Sequence, residues 1–287
     1  MHIHFLHISC PCYLCNLMMN NFFRNKVVAV TGGTDGIGKA LVNQLIAMGA
    51  KVSTCGRNQD KLYAMKVAHA EKPFVAVVAD VSKELDCRLF VEHTVKMLGG
   101  IDILINNAGI SMRALFEETE LSTVRQVMDI NFWGTVATTH FALPYIIKSK
   151  GSIVGLSSIA GFRGLPGRTG YSASKFALNG FLESLRTEMF EKDVNVLTVC
   201  PGFTASNIRN VALNKDGAPQ GESPMNEGKM MTADECASII LNAIAKKKRL
   251  VVMTAQGKQT VWLNRIMPTL ADKLVHRFFY KNGTLAQ

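Results

Sequence analysis

Thr31-Gly32-Gly33-Thr34-Asp35-Gly36-Ile37-Gly38, followed at once by Lys39-Ala40-Leu41, is the stretch whose reading decides the fold. It comes directly after a β-branched run, residues 26–31, and opens a pattern of helical period over residues 38–48. A strand, a tight glycine turn and a helix start, in that order, aim the unpaired N–H groups and the positive dipole end of the helix at one spot. Glycines let a ligand approach the backbone there with no Cβ in the way, so the segment reads as an anion-binding turn suited to a pyrophosphate. Glycine also simply makes turns; the place of this one, straight after a first strand, separates the two readings.

Outward from this turn the same alternation repeats. Apolar strand patterns cover residues 26–31, 51–55, 74–79, 101–106, 152–156, 195–200 and 250–254. Helical patterns lie between them at 38–48, 60–69, 84–98, 121–147, 171–191 and 232–246, each long enough for a right-handed crossover. The expected fold class is α/β: a Rossmann-like, doubly wound, seven-stranded parallel sheet with helices on both faces, built as a single unit over 21–287.

Three stretches break the pattern. Residues 204–230, rich in Asn, Gly, Pro and Met, are longer than a crossover needs and are expected to form a lid over a pocket. Residues 260–280 carry Trp262, Leu263, Ile266, Met267, Leu270, Leu274, Val275, Phe278 and Phe279 at helical spacing among Arg and Lys. That helix either packs on its own domain or a sister subunit, or lies on a membrane surface in peripheral contact. Residues 1–20 are expected to be a disordered extension, upstream of a true start at Met18 or Met19, with a membrane-associating tail as the alternative. Their His2, His4, His7, Cys10, Cys12 and Cys15 lack the paired, folded spacing of a zinc site, so no metal is expected.

A formal net charge of +10 calls for a negatively charged partner: a nucleic acid, an anionic membrane or a phosphorylated small molecule. No nucleic-acid motif accompanies it, and Lys246-Lys247-Lys248-Arg249 reads as a solvated helix end. Cys55, Cys87, Cys200 and Cys236 stand singly in apolar surroundings, as reduced core thiols do in a cytoplasmic protein. A cytoplasmic location, with membrane association left open, is therefore expected.

Further motifs follow the glycine turn in order. Arg57 closes the second strand, Asp80-Val81 the third and Asn106-Asn107-Ala108-Gly109 the fourth; then come Asn131, Ser158, Tyr171-Ser172-Ala173-Ser174-Lys175, and Pro201-Gly202 after the sixth. With the G-x-x-x-G-x-G spacing of Gly32 to Gly38, the chain from residue 26 to about Thr204 resembles the short-chain dehydrogenase/reductase family. The resemblance implies a nicotinamide cofactor held by Gly32, Thr34, Asp35, Gly36, Ile37 and Gly38, by Asp80 and Val81 at the adenine, by Asn107, Ala108 and Gly109 along the ribose, and by Tyr171, Lys175, Pro201, Gly202 and Thr204 at the nicotinamide. Arg57 stands where NAD-preferring enzymes place a carboxylate, and its guanidinium suits a 2′-phosphate, so NADP(H) is expected with NAD(H) left open. Asp35 departs from the family's NADP pattern, which often has a basic residue just before the second glycine of the motif.

Tyr171 and Lys175 are spaced to share one face of a helix. A phenol is a poor base at neutral pH, but a nearby ammonium and the oxidised nicotinamide ring both favour the phenolate. The resemblance makes Tyr171 the acid/base, gives Lys175 the nicotinamide ribose hydroxyls, Ser158 the substrate oxygen, and Asn131 a water linking Lys175 to solvent. Singly, each has an ordinary structural explanation: a packing Tyr, a capping Ser, an Asn bonded to backbone. The residues 171–186 resemble the branch of 11-beta-hydroxysteroid dehydrogenases and 3-ketosphinganine reductases, which implies a hydrophobic ketone or secondary alcohol as the small-molecule partner. The rival reading is a non-catalytic NADP(H)-binding sensor or scaffold. The two long helices, 121–147 and 171–191, carry Val124, Val127, Phe132, Val136, Phe141, Phe176, Phe181, Leu185 and Met189, more than one buried stripe requires, so a homodimer or homotetramer is expected.

Overall fold

The computed structural model describes residue 19 and residues 21–205, 207–222, 228 and 230–285. The extension expected over 1–20 lies outside these residues except for Met19. The sheet has seven strands in the order β3-β2-β1-β4-β5-β6-β7, and every pairing in it is parallel. The strands are β1 (Val27–Thr31), β2 (Lys51–Gly56), β3 (Phe74–Val78), β4 (Ile103–Asn106), β5 (Ser152–Leu156), β6 (Asn195–Cys200) and β7 (Leu250–Val252). The connecting helices are α1 (Gly36–Ala47), α2 (Gln59–Ala68), α3 (Glu84–Leu98), α4 (Leu121–Met128), α5 (Gly134–Ser149), α6 (Thr169–Glu188) and α7 (Ala233–Ala245).

Burial on both faces explains why the central strands read as unbroken apolar runs. Val28 and Val30 of β1 point into one layer with Leu41 and Leu45 of α1 and Ile240 and Ile244 of α7. Ala29, between them, points into the other layer with Phe90 of α3, Ile146 of α5 and Leu178 and Leu182 of α6. The four cysteines Cys55, Cys87, Cys200 and Cys236 are free and buried, and burial pushes the thiols of Cys55, Cys200 and Cys236 up to about 12.

Two expected helices are divided. The pattern over 121–147 is interrupted by a π-helical turn, Asp129–Trp133, that separates α4 from α5. Asn131 sits in this turn, and its buried side chain holds the backbone of Ile110 on the neighbouring strand end. Such single-turn widenings of a helix often mark a functional position.

The C-terminal pattern over 260–280 is two helices, α8 (Ala255–Ile266) and α9 (Pro268–Phe279). Pro268 supplies the break: it is the first residue of α9 and pushes Met267 out of the helical region, to φ −131° and ψ 63°. A two-stranded hairpin, β8 (Tyr280–Lys281) and β9 (Thr284–Leu285), ends the described chain. Asn282 and Gly283 form its turn with φ of 51° and 79°, the left-handed values an Asn-Gly pair adopts cheaply.

Part of the surplus apolar surface expected on the long helices is internal, since Val127, Leu185 and Met189 lie in the chain's own core. Leu121, Trp133 and Phe176 stay exposed on the same helices. The described part of 204–230 is tied down at several points. Leu213 exchanges backbone hydrogen bonds with Ser111 and Arg113, Gln220 Nε2 donates to the Arg113 carbonyl, and Arg113 pairs with Glu222.

Candidate active site

All seven strands deliver their C-terminal ends to one edge of the sheet, and a cavity of about 980 Å³ runs along it. Its lining includes Gly32, Thr34, Asp35, Gly36, Ile37, Gly38, Arg57, Asp80, Val81, Asn107, Ala108, Gly109, Ser158, Tyr171, Lys175, Pro201, Gly202 and Thr204. Apart from Asn131, every residue to which the sequence assigns a cofactor or catalytic role therefore lines one space.

At the glycine turn, Gly32 has φ +68°, and a Cβ on Gly38 would come within 2.2 Å of the Gly32 carbonyl oxygen. Asp35 caps α1, its carboxylate accepting from Gly36 N at 2.8 Å. The N-terminus of α1, Gly36 to Gly38, thus opens onto the cavity, as an anion-binding turn requires. Asn107 has a structural task that its position alone did not reveal. Its Nδ2 donates to the carbonyls of Thr31 and Gly32, at 2.9 and 3.0 Å, and the N–H groups of Asn107 and Ala108 both donate to Thr31 Oγ1 at 3.0 Å. Asp80 closes a turn by accepting from the N–H and hydroxyl of Ser82.

Lys61 was missed from the sequence. One helical turn beyond Arg57, it lines the cavity and pairs with Asp35 at 2.6 Å, which holds the Asp35 carboxyl below its ordinary range. The R-x-x-x-K spacing of Arg57 and Lys61 was the available signal.

At the other end, Tyr171 and Lys175 occupy one face of α6, with Lys175 Nζ 5.7 Å from the Tyr171 ring centroid. Lys175 Nζ donates to the Leu156 carbonyl at 2.7 Å. Burial pulls this amine down to about 8. Burial raises the Tyr171 phenol, and the Ser158 hydroxyl and the Arg168 guanidinium pull it back. Ser158 also caps the turn Ile159–Gly161, its Oγ accepting from Ala160 N at 3.1 Å, whereas Ser157 turns its hydroxyl to the Lys175 carbonyl. Arg168, one turn before Tyr171, was the second residue missed.

Asn131 is fully buried behind this face. Its Oδ1 accepts from Ile110 N at 2.8 Å, and its Nδ2 donates to Ile110 O and to Ser174 Oγ, both at 2.9 Å. These bonds all run to protein groups, and a Cβ added at Gly109 would lie 3.1 Å from Asn131 Oδ1 and 3.6 Å from Lys175 Nζ.

Over residues 26–216 the sequence matches the family model described as short chain dehydrogenase. The chain belongs to that family. This short-chain dehydrogenase is an oxidoreductase acting on CH–OH or C=O groups, and it is similar to the hydroxysteroid dehydrogenases. It is 36% identical over 249 residues to the 11-beta-hydroxysteroid dehydrogenase-like 4A of Arabidopsis thaliana, covering 85% of this chain and 82% of the relative. It is also 36% identical over 263 residues to the dehydrogenase/reductase SDR family member 7B of Mus musculus, covering 88% and 81%. Among solved structures, a short-chain dehydrogenase/reductase from Burkholderia phymatum, determined in complex with NAD, superposes with a TM-score of 0.77 at 21% identity, over 86% of this chain and 95% of that one. One from Streptomyces avermitilis gives 0.76 at 24% identity, over 90% and 100%. At these identities the two structures speak for the fold.

In this short-chain dehydrogenase, Asn131→Ala would leave both the N–H and the C=O of Ile110 without their partner. Each orphaned buried group costs about 1–3 kcal/mol. The expected result is a loss of about 2–4 kcal/mol in a urea denaturation series, and a stability equal to wild type would show that the Ile110 backbone does not depend on this amide.

Proposed function

We propose that this enzyme transfers a hydride between NADP(H) and the carbonyl or alcohol carbon of an apolar ketone or secondary alcohol, with Tyr171 as the acid/base. The observation that carries the proposal is the convergence of Ser158, Tyr171 and Lys175 on the end of the cavity opposite the glycine turn. The family's activity on CH–OH and C=O groups and the sensor reading's lack of any use for such a group both favour catalysis.

The residues present fit a nicotinamide dinucleotide. The N-terminus of α1 suits the pyrophosphate, Asp80 the adenine, and Arg57 with Lys61 a 2′-phosphate. When bound, the nicotinamide supplies or accepts the hydride. The Tyr171 phenol then gives a proton to the carbonyl oxygen in reduction, or takes one from the alcohol in oxidation. The Ser158 hydroxyl, which faces the Tyr171 phenol, would donate its O–H to the same substrate oxygen. Lys175 holds the ribose hydroxyls by leaving or sharing the Leu156 carbonyl, and Asn131 keeps the strand end beside it in place. NAD(H) is the second reading: the ion pair with Asp35 draws Lys61 away and leaves Arg57 as the main cation for a 2′-phosphate.

The substrate end supports an apolar partner, for Trp262, Leu263, Leu274, Val275, Phe278 and Phe279 of α8 and α9 line it. Thr204, Asn207, Ile208, Arg209 and Val211 line its other side, in keeping with a lid over 204–230, part of which lies outside the described residues. The exposed Leu121, Trp133 and Phe176 support a homo-oligomer paired through α4, α5 and α6. On α8 and α9, the exposed Trp262, Ile266, Leu270 and Leu274 among Lys258, Arg265, Lys273 and Arg277 support peripheral contact with an anionic membrane. Among the described residues no helix is long and apolar enough to cross one.

Tyr171→Phe is expected to lower kcat by about 100-fold or more while NADPH binding is kept, and near wild-type turnover would remove Tyr171 from the acid/base role. Arg57→Ala should weaken NADPH by roughly 10- to 100-fold and leave NADH nearly unchanged. Equal losses for the two cofactors would take Arg57 out of the phosphate site. Light scattering should give a multiple of the 31.4 kDa chain mass, with co-sedimentation on anionic vesicles. A monomer that stays in the supernatant contradicts both surface assignments.

A further inference from the structure

Among the described residues, an arginine at the substrate end of the cavity has no anion to hold. Arg168 stands at the N-terminus of α6, one turn before Tyr171, and lines the cavity. Its guanidinium lies over the Phe279 ring, 5.8 Å from the centroid, and its Nε is buried with no hydrogen-bond partner. Among the described residues its side chain forms no hydrogen bond and no ion pair.

The neighbouring arginines are served differently. Arg163 donates to Asn264 and pairs with Asp272, Arg113 pairs with Glu222, and Arg209 donates to the Thr204 carbonyl at 2.8 Å. Among the described residues no carboxylate lines this end of the cavity to balance Arg168. The acids in the lining are Asp35 and Asp80, both at the glycine-turn end, one paired with Lys61 and the other bonded to Ser82.

A guanidinium largely, though not wholly, taken out of water without a counter-ion is costly, and burial pulls its proton affinity down. A planar fork of donors facing a cavity from such a position matches a carboxylate or a phosphate monoester. We infer that Arg168 receives an anionic group, carboxylate or phosphate, carried by the substrate on a carbon next to the reacting carbonyl. Arg168 is near enough to Tyr171 for its charge to favour the phenolate, which places the anionic group beside the reacting carbonyl, and the apolar faces of α8 and α9 take the remainder of the molecule. The inference rests on the hydride-transfer reading above and narrows its substrate class from apolar ketones to apolar ketones with an anionic head.

The test uses the whole chain, NADPH and three matched ketones. Phenylacetone is the neutral probe, phenylpyruvate has the carboxylate beside the same carbonyl, and phenylacetone phosphorylated through a hydroxyl on its methyl carbon is the phosphate arm. For the wild type, kcat/KM for one of the two anions should exceed that for phenylacetone by roughly 10- to 100-fold, and which anion wins names the head group. Arg168→Gln, which keeps a polar side chain and drops the charge, should bring that ratio close to unity. Arg168→Lys, which keeps charge without the fork, should fall between and serves if the first variant does not fold. A wild-type ratio near unity for both anions overturns the inference. So does an Arg168→Gln loss that is equal for neutral and anionic ketones, because an arginine that only tunes the Tyr171 phenol or supports the fold would leave the ratio intact. If the wild type reduces none of the three, the hydride-transfer reading is what fails for these ketones. Calorimetric titration of phenylpyruvate then decides the anion site: binding lost in Arg168→Gln upholds it, and equal or absent binding in both forms overturns it.

Discussion

The active-site edge depends on a clasp between two strand ends. After β1 the chain turns toward β2, and after β4 it turns toward β5, so the sheet parts company with its own loops between these two strands. Thr31 and Asn107 bridge the gap with four hydrogen bonds that join the glycine turn to the Asn107-Ala108-Gly109 segment. Those bonds satisfy backbone groups that the end of the sheet would otherwise leave bare. Gly38 fits beneath them because any Cβ would strike the Gly32 carbonyl and the Asn107 amide. The anion-binding turn is therefore held in shape by β1 and β4, whose residues are all buried.

Burial then divides the cavity into two electrostatic ends. At the glycine turn, charges are paired or partly hydrated: Lys61 with Asp35, each about half exposed, and Asp80 within its own turn. At the other end Lys175 is 5% exposed, and the hydroxyls of Tyr171 and Ser158 and the guanidinium of Arg168 share a space roofed by the apolar sides of α8 and α9. A low-dielectric roof strengthens every charge interaction beneath it and equally penalises any charge left unmatched. Proton transfer and anion selection are both chemistries that such an environment favours, and they draw on the same few side chains.

The second layer matters as much as the lining. Asn131 touches no part of the cavity, yet the π-helical turn that carries it sets Ile110 and, through Gly109, the side of the space next to Lys175. A regular helix through residues 121–147 would have presented a different side chain to Ile110. The widened turn is thus a means of aiming one amide, and it lies between two ordinary helices whose apolar stripes gave no sign of it.

The sequence by itself determined the strand and helix alternation, the parallel sheet and the place of the glycine turn. These depend on local spacing: apolar runs buried on both faces, helical periods between them, and glycines where a strand meets a helix. Through the resemblance its motifs carry, it also picked out Ser158, Tyr171, Lys175, Arg57 and the glycine turn, all of which line one cavity. An Asn-Gly pair at 282–283 and a proline at 268 were legible signals of the terminal hairpin and the helix break, though a continuous apolar period across 260–280 masked them. Only the tertiary structure decided the partners of each polar group. Lys61 reached Asp35 rather than solvent, Asn107 turned to the glycine-turn carbonyls, and Arg168 was left over Phe279 without an anion. Those outcomes are set by which side chains from distant elements meet in a space with little water, and a linear pattern carries no record of which donors will find acceptors there.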